Sequence, residues 1–493
     1  MQIENKIEIL LLTNRDSDNL GDQVIEACDI SLISLVMENL GFNPDQYHIN
    51  SRAAGIIKKK YVETKDEELL KDAENTISKS DIIVFGGAPL FNYLYQIFYE
   101  RTAVTLELAD KYNKPVIFSA IGIEGYDEKN SKCQRLKKTL NFECVKRITT
   151  RDDFESLVNY KDRENLVVGK VSDPAVFANE VFGNYIRKKS SKKKKIGIFL
   201  IRANAFVDNN IDFSPEAAID MWINLIGDLE AKGYDYELIT SGHFGDEAFL
   251  DSLIRDYDIP LRRCVFNMNC PEDLFEHLSN YDGVISCRLH PNIISFSMGI
   301  PSVGLIWNTK VANFYHAVGY DNRAVTMGSN TTTEEIIEKL DNAMSEGVTK
   351  DEDYLISVYA NLYEGIGSLI TNVSEPQVAN MYSYQDVVNK LPRYSGTSDK
   401  ERKTKLERKF RRAYDNFYAA KKKAAVSKEP KEFINRINDE HRKNVKLQID
   451  INNKKKEIGK LQNELSKMKI KLEKNKTTKQ AVKNIIKNFI GRS

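Results

Sequence analysis

Residues 6–40 read KIEILLLT (6–13), NRDSDNLG (14–21) and DQVIEACDISLISLVMENL (22–40). The first run is short and apolar, as suits a strand buried on both faces. The second is polar and ends in glycine. The third carries apolar residues at helical spacing. Strand, loop and helix in this order open a βαβ unit, whose parallel sheet is covered by helices on both faces.

The rhythm continues along the chain. DIIVF (81–85) and PVIFSA (115–120) read as strands, with shorter candidates at 147–150 and 166–169. A lysine-rich stretch at 187–195 interrupts the pattern and reads as a linker. Strands then resume at 196–201, 236–240, 283–286 and 302–306, with helices at 215–232, 247–257 and about 292–298. Closing helices are expected at 334–345 and 354–371. The expectation is an α/β protein with two Rossmann-like, doubly wound domains at 1–186 and 196–375. A linker at 376–402 leads to a basic helical tail at 403–493. In such folds ligands bind beyond the carboxyl ends of the strands, so a cleft between the domains is the expected site.

Composition narrows the class. The 493 residues are 41% apolar and 29% charged, the balance of a globular protein with an unusually charged part attached. No run approaches the roughly 18 apolar residues needed to span a bilayer. The first residues lack the basic flank of a secretory signal. Cys28, Cys133, Cys144, Cys264, Cys270 and Cys287 form no Cys-x-x-Cys pair, which argues against a disulfide scaffold or structural zinc and for a reducing cytoplasm. The net charge of +1 hides a division. Residues 399–493 hold 30 basic and 12 acidic residues, a net +18, and the remaining 42 basic and 59 acidic residues leave 1–398 at −17.

Five clusters carry candidate chemistry. Asn19, Gly21 and Asp22 sit between the first strand and its helix, where glycine permits close approach and the helix N-terminus attracts anions; Asp22 as a simple cap is the competing reading. Gly86 and Gly87 end the second strand, for a ligand's approach or for a tight turn. Arg151 follows the strand at 147–150 and can grip a carboxylate or phosphate, or pair with Asp152 or Asp153 on the surface. Arg288 and His290, two apart on the turn before a helix, are the strongest cluster: histidine suits proton transfer near neutral pH. Lys310 lies past a strand end as a candidate phosphate partner, against the common solvated lysine. His243 occupies a similar loop, with no role assigned. No metal-ligand cluster is visible.

Read in order, NLGD (19–22), DIIVFGG (81–87), KPVIFSAIGI (114–123), TRDDFES (150–156), Asp173-Pro174 and RLH (288–290) resemble the polysaccharide pyruvyl transferases, and Gly299-Ile300-Pro301 and Lys310 continue the likeness. The resemblance spans roughly residues 8–325. It implies a fold like that of GT-B glycosyltransferases. It also implies transfer of a pyruvyl group from phosphoenolpyruvate to two hydroxyls of a sugar or lipid-linked glycan, forming a cyclic ketal without metal or cofactor. By that analogy His290 is the general acid/base and Arg151, Arg288 and Lys310 hold the donor's anionic groups. Asn19, Gly21 and Asp22 line the cleft on the acceptor side. The chain departs from the family pattern at Ala88-Pro89, where a third glycine is usual, and at Glu124-Gly125, where glycine, often with proline, is usual. A nucleotide-sugar glycosyltransferase and a catalytically inactive scaffold acting through its coiled coil are the alternative functions.

The tail carries Leu406, Phe410, Tyr414 and Phe417 on one face of a basic helix. Ile451, Ile458, Leu461, Leu465, Met468 and Leu472 then follow a heptad, an expected coiled coil and homodimer contact. Val482, Ile485, Ile486, Phe489 and Ile490 share a face ringed by lysines. Three readings are open: a solvated extension, an anchor to an anionic membrane at its cytoplasmic face, or docking on an acidic surface, a neighbour's body or a partner. Nucleic acid is the weakest partner, since the body offers no basic groove.

Overall fold

Two parallel sheets organise the chain in a computed structural model that describes residues 6–94, 97–187, 193–266, 268–370 and 380–426, with scattered positions beyond. The first sheet has strands β1 (Ile7–Thr13), β2 (Tyr47–Ala53), β3 (Ile82–Phe85), β4 (Val116–Ile121), β5 (Val145–Thr150) and β6 (Val167–Lys170), in the order β2-β1-β3-β4-β5-β6. The second has β7 (Lys195–Phe199), β8 (Asp235–Ile239), β9 (Gly283–Ser286), β10 (Ser302–Ile306) and β11 (Ala324–Thr326), in the order β11-β10-β9-β7-β8. Every pairing is parallel. In both sheets the winding reverses beside the first strand, between β1 and β3 and between β7 and β9. Loops diverge at such a point and leave a crevice at the strand ends.

Alternation along β1 shows how the sequence builds the layers. Leu10 and Leu12 enter one core with Ile83, Phe85 and Phe118, while Ile9 and Leu11 enter another with Val84 and Ile117. That second core does not stop at the first sheet. It runs on through Val176 and Phe182 to Phe275, Val284, Ile293 and Ile294 of the second half. Backbone and side-chain bonds seal the join: Leu20 N donates to Ser241 O at 2.7 Å, and Asn179 N to Ser297 Oγ at 2.9 Å.

Several expected boundaries shift. The first helix is Leu20–Asn39, starting two residues early, because Asn19 rather than Asp22 caps it. The helix after β9 is Leu289–Ser297, which takes His290 off the expected extended turn and into the first helical turn. The closing helix Glu352–Ile370 packs on the first sheet instead of completing the second domain. Asn361 Nδ2 donates to Thr149 Oγ1 at 3.1 Å, Tyr359 OH to Asn39 Oδ1 at 2.7 Å, and Arg147 pairs with Glu364 at 3.0 Å. Within 376–402, expected as a linker, the described residues are docked: Ser31 Oγ donates to Pro392 O at 2.6 Å, Tyr394 N to Val181 O at 2.7 Å, and Tyr384–Lys390 is a helix with a capping box.

The basic helix is Asp399–Val426. The chain through Ala413 forms one compact unit, and Tyr414 onward a second. Inside the first unit the helix straps both halves of the body. Arg402 binds Glu272 at 2.8 Å and Asp273 at 3.0 Å, and Lys409 binds Glu247 at 2.5 Å, all in the second half. Arg408 binds Asp16 at 2.7 Å and Arg412 binds Asp18 at 2.8 Å, both in the loop after β1. Lys409 lies two turns beyond Arg402 and Arg412 three residues further, with Arg408 alongside, so these cations share one face. The acidic surface that receives this part of the tail is the chain's own. Phe410 and Tyr414 are exposed, while the Phe417 side chain lies outside the described residues. Of the expected heptad, Ile451, Ile458, Leu461, Leu465 and Met468 are helical and exposed, while Leu472 and the apolar residues of the face 482–490 also lie outside the described residues. Among the described residues no helix is long and apolar enough to cross a membrane.

Candidate active site

The loop after β1 places the first cluster. Asn19 caps the helix with its side chain accepting from Gly21 N at 3.3 Å. Gly242, from the loop after β8, lies against this loop at φ +88°, where a Cβ would crowd the carbonyls of Asp18 and Met268. Only glycine fits that contact between the halves. Asp22 is buried and accepts from Asn14 Nδ2 at 2.9 Å. Burial pushes its carboxyl above the usual range, opposed by a hydrogen bond from Ser17 and the charges of Arg151 and Lys310.

Across the cleft, β9 delivers Arg288 and His290. A Cβ on Gly21 would overlap the His290 ring, so the missing side chain is what admits the imidazole. His290 is 7% exposed, and its Nε2 is buried with no hydrogen-bond partner. Burial, with help from Arg151, Lys310 and Arg288, holds the ring well below the ordinary 6.5, so it is neutral at pH 7. Arg288 turns aside: Nε donates to Asp246 Oδ2 at 2.8 Å, Nη2 lies 2.6 Å from the same oxygen, and the guanidinium sits 5.3 Å from the Trp307 ring centre. Arg288 and His290 therefore leave the turn in different directions, because the helix begins between them.

Arg151, at the end of β5, is buried. Its Nη1 donates to Asp173 Oδ2 at 2.6 Å and to Gly87 O at 2.7 Å, while Nε has no partner. The alternative reading, a surface pair with Asp152 or Asp153, gives way to this buried bond with Asp173. Lys310 opens the helix Thr309–Ala317, and its Nζ lies 2.5 Å from Glu124 Oε1. Gly86 and Gly87 sit beneath the first helix: a Cβ on Gly86 would strike Asp29 Oδ2, and one on Gly87 would stand 2.6 Å from Ile25. Their missing side chains make room for the chain's own helix.

The fold thus gathers Gly21, Asp22, Arg151, Arg288, His290 and Lys310, with Asn19 holding the loop and the two glycines one layer below. Sequence reasoning missed the carboxylates Asp173, Asp246 and Glu124, which hold the three cations. Asp246 stands in the same strand-end loop as His243. That histidine caps the helix Phe244–Tyr257, its Nδ1 accepting from Gly245 N at 3.2 Å. Among the described residues no group of three or more His, Cys, Asp or Glu is placed to hold a metal ion.

Fold and site together define a two-sheet α/β protein with a buried histidine among three cations in its interdomain cleft. The family model of the polysaccharide pyruvyl transferases matches residues 19–309, more than half of the chain, and the chain belongs to that family. The match stops short of Lys310 and of the strap helix. Among curated proteins none matches the sequence. Among solved structures the chain is similar to the UDP-GlcNAc 2-epimerase of Methanocaldococcus jannaschii in complex with UDP-GlcNAc and UDP (12% identity, TM-score 0.44, 75% of this chain and 100% of that one). It is likewise similar to a glycosyltransferase from Rickettsia africae (13%, 0.41, 78% and 97%) and to the UDP-GlcNAc 2-epimerase of Neisseria meningitidis bound to UDP-GlcNAc (11%, 0.42, 75% and 100%).

Proposed function

We propose that the protein transfers the pyruvyl group of phosphoenolpyruvate to two hydroxyls of a sugar in a cell-surface polysaccharide or its lipid-linked precursor. The observation that carries this reading is a pair of buried nitrogens without hydrogen-bond partners in one cleft, Arg151 Nε and His290 Nε2. Buried polar groups are nearly always satisfied, so such a pair calls for a polar ligand. Phosphoenolpyruvate, with a phosphate and a carboxylate, matches two arginines and a lysine.

Chemistry follows from the electrostatics. Burial, reinforced by three cations, keeps His290 neutral. The donor's negative charge offsets them and raises the basicity of the ring. His290 then accepts a proton from the attacking hydroxyl and delivers it to the methylene carbon of the donor. The hydroxyl oxygen bonds to the enol carbon, phosphate departs with the C–O electron pair, and the second hydroxyl closes the ketal. The second hydroxyl's proton leaves with phosphate. The residues need no metal or cofactor for these steps. An open groove of about 680 Å³, lined by Arg15, Arg52, Lys58, Lys400, Lys405 and Arg408 and by the carboxylates Asp16, Glu26, Asp72 and Glu401, is the proposed approach of a lipid-linked acceptor at the cytoplasmic face of a membrane. Beyond the strap, residues 414–493 hold 22 basic and 9 acidic residues, a charge that favours such a surface.

The test is calorimetric titration of phosphoenolpyruvate, with a nucleotide panel alongside, followed by a phosphate-release screen of glycan acceptors. Phosphoenolpyruvate should bind the wild type and His290→Gln, and only the wild type should release phosphate. Binding of a nucleotide and not of phosphoenolpyruvate would overturn the reading.

A further inference from the structure

Each of the three cations in the cleft is already matched by a carboxylate, and the three pairs differ. Arg151 and Asp173 both belong to the first half, with each side chain 4% exposed. Arg288 and Asp246 both belong to the second half, at 14% and 0%. Lys310 and Glu124 are at 17% and 26%, and of the three this pair alone joins the halves, Glu124 coming after β4 and Lys310 after β10. The other oxygen of Glu124 accepts from Asn92 Nδ2 at 2.5 Å.

Drawing Arg151 or Arg288 away would strand a carboxylate sealed from water, which costs far more than the pair itself contributes. Glu124 is partly solvated, so it can release Lys310 and remain hydrated. Lys310 is therefore the cation that an incoming anion can take over, while Arg151 and Arg288 lend their remaining N–H groups without leaving their partners.

We propose that Glu124 is an internal stand-in for the donor's phosphate: it holds Lys310 across the closed cleft, and the donor's phosphate exchanges for it. This rests on the reading that Lys310 belongs to the donor site. The exchange makes Glu124 a specificity-determining residue. A monoanion replaces one negative charge by another and gains little, whereas a phosphate dianion brings more charge than it displaces. The site thereby favours a phosphorylated donor over pyruvate, the same acid without its phosphate.

The experiment titrates inorganic phosphate, phosphoenolpyruvate and pyruvate into the full chain by calorimetry, as wild type, Glu124→Gln, Lys310→Met and the double variant. Glu124→Gln should bind phosphate about tenfold tighter, since a partly solvated charged competitor at hydrogen-bond distance is removed. Its preference for phosphate over pyruvate should narrow. The double variant should match Lys310→Met. Glu124→Asp, which keeps the charge on a shorter arm, should fall between wild type and Glu124→Gln and serves as the folded control. Phosphate binding that is unchanged in Glu124→Gln, equally improved in the Lys310→Met background, or absent from all four proteins overturns the exchange. A tenfold gain for phosphate with no advantage of phosphoenolpyruvate over phosphate upholds the exchange and sinks the pyruvyl-donor reading.

Discussion

At Gly21 the fold leaves no room for a methyl group, because the His290 ring occupies the place a Cβ would take. Gly21→Ala should push the imidazole aside in a protein that still folds. A misplacement of about 1 Å costs on the order of 100-fold in rate, so kcat/KM for phosphate release should fall by that factor with the circular dichroism unchanged. His290 also makes stability depend on pH. The folded ring titrates well below 6.5, while the unfolded chain takes up a proton near that value. Below pH 6.5 the unfolded state therefore binds more protons, and stability drops as pH falls. Relative to His290→Gln, the wild type should lose stability as pH falls below 6.5, with a slope approaching but not exceeding about 1.4 kcal/mol per pH unit, read from urea denaturation at each pH. These positions could be singled out in the sequence because they fall in loops at strand ends, where doubly wound folds bind ligands. Their partners were not: Asp173, Asp246 and Glu124 lie 22, 42 and 186 residues from the cations they hold, and no local pattern encodes such pairs.

The strap helix Asp399–Val426 shows what periodicity conveys and what it omits. Its spacing gives a basic helix, but only tertiary contacts reveal that residues 402–412 grip the chain's own body. Burial then sets the worth of each grip. Lys409 and Glu247 have side chains 10% and 12% exposed, and burial already raises the carboxyl of Glu247 above its ordinary range. Lys409→Met should leave that carboxylate unpaired and cost about 3 kcal/mol by urea denaturation. Arg408 and Asp16 are 45% and 48% exposed, and Arg408→Ala should cost less than about 1 kcal/mol. Equal costs for the two variants would refute the ranking by burial. The closing helix Glu352–Ile370 was legible as a helix and misassigned as to its sheet. Its apolar stripe fits any apolar face, and the deciding bonds to Thr149 and Asn39 are long-range.

Two sheets were readable from the βαβ rhythm, yet the shared core makes them one folding body. Ile9 and Leu11 belong to the same cluster as Phe275, Val284 and Ile293, and the chain crosses back to the first sheet through Glu352–Ile370. Calorimetry should show one unfolding transition for the body, and residues 1–186 expressed alone should fail to fold; a separate early transition would show independent halves. The matched ion pairs also govern how a ligand arrives. Three cations matched by three carboxylates present little net field to an anion at a distance, and the −17 of residues 1–398 is offset by the +18 of residues 399–493. An anionic donor is therefore attracted only on arrival. Its encounter rate should change little with added salt, unlike an association steered by a charged cleft.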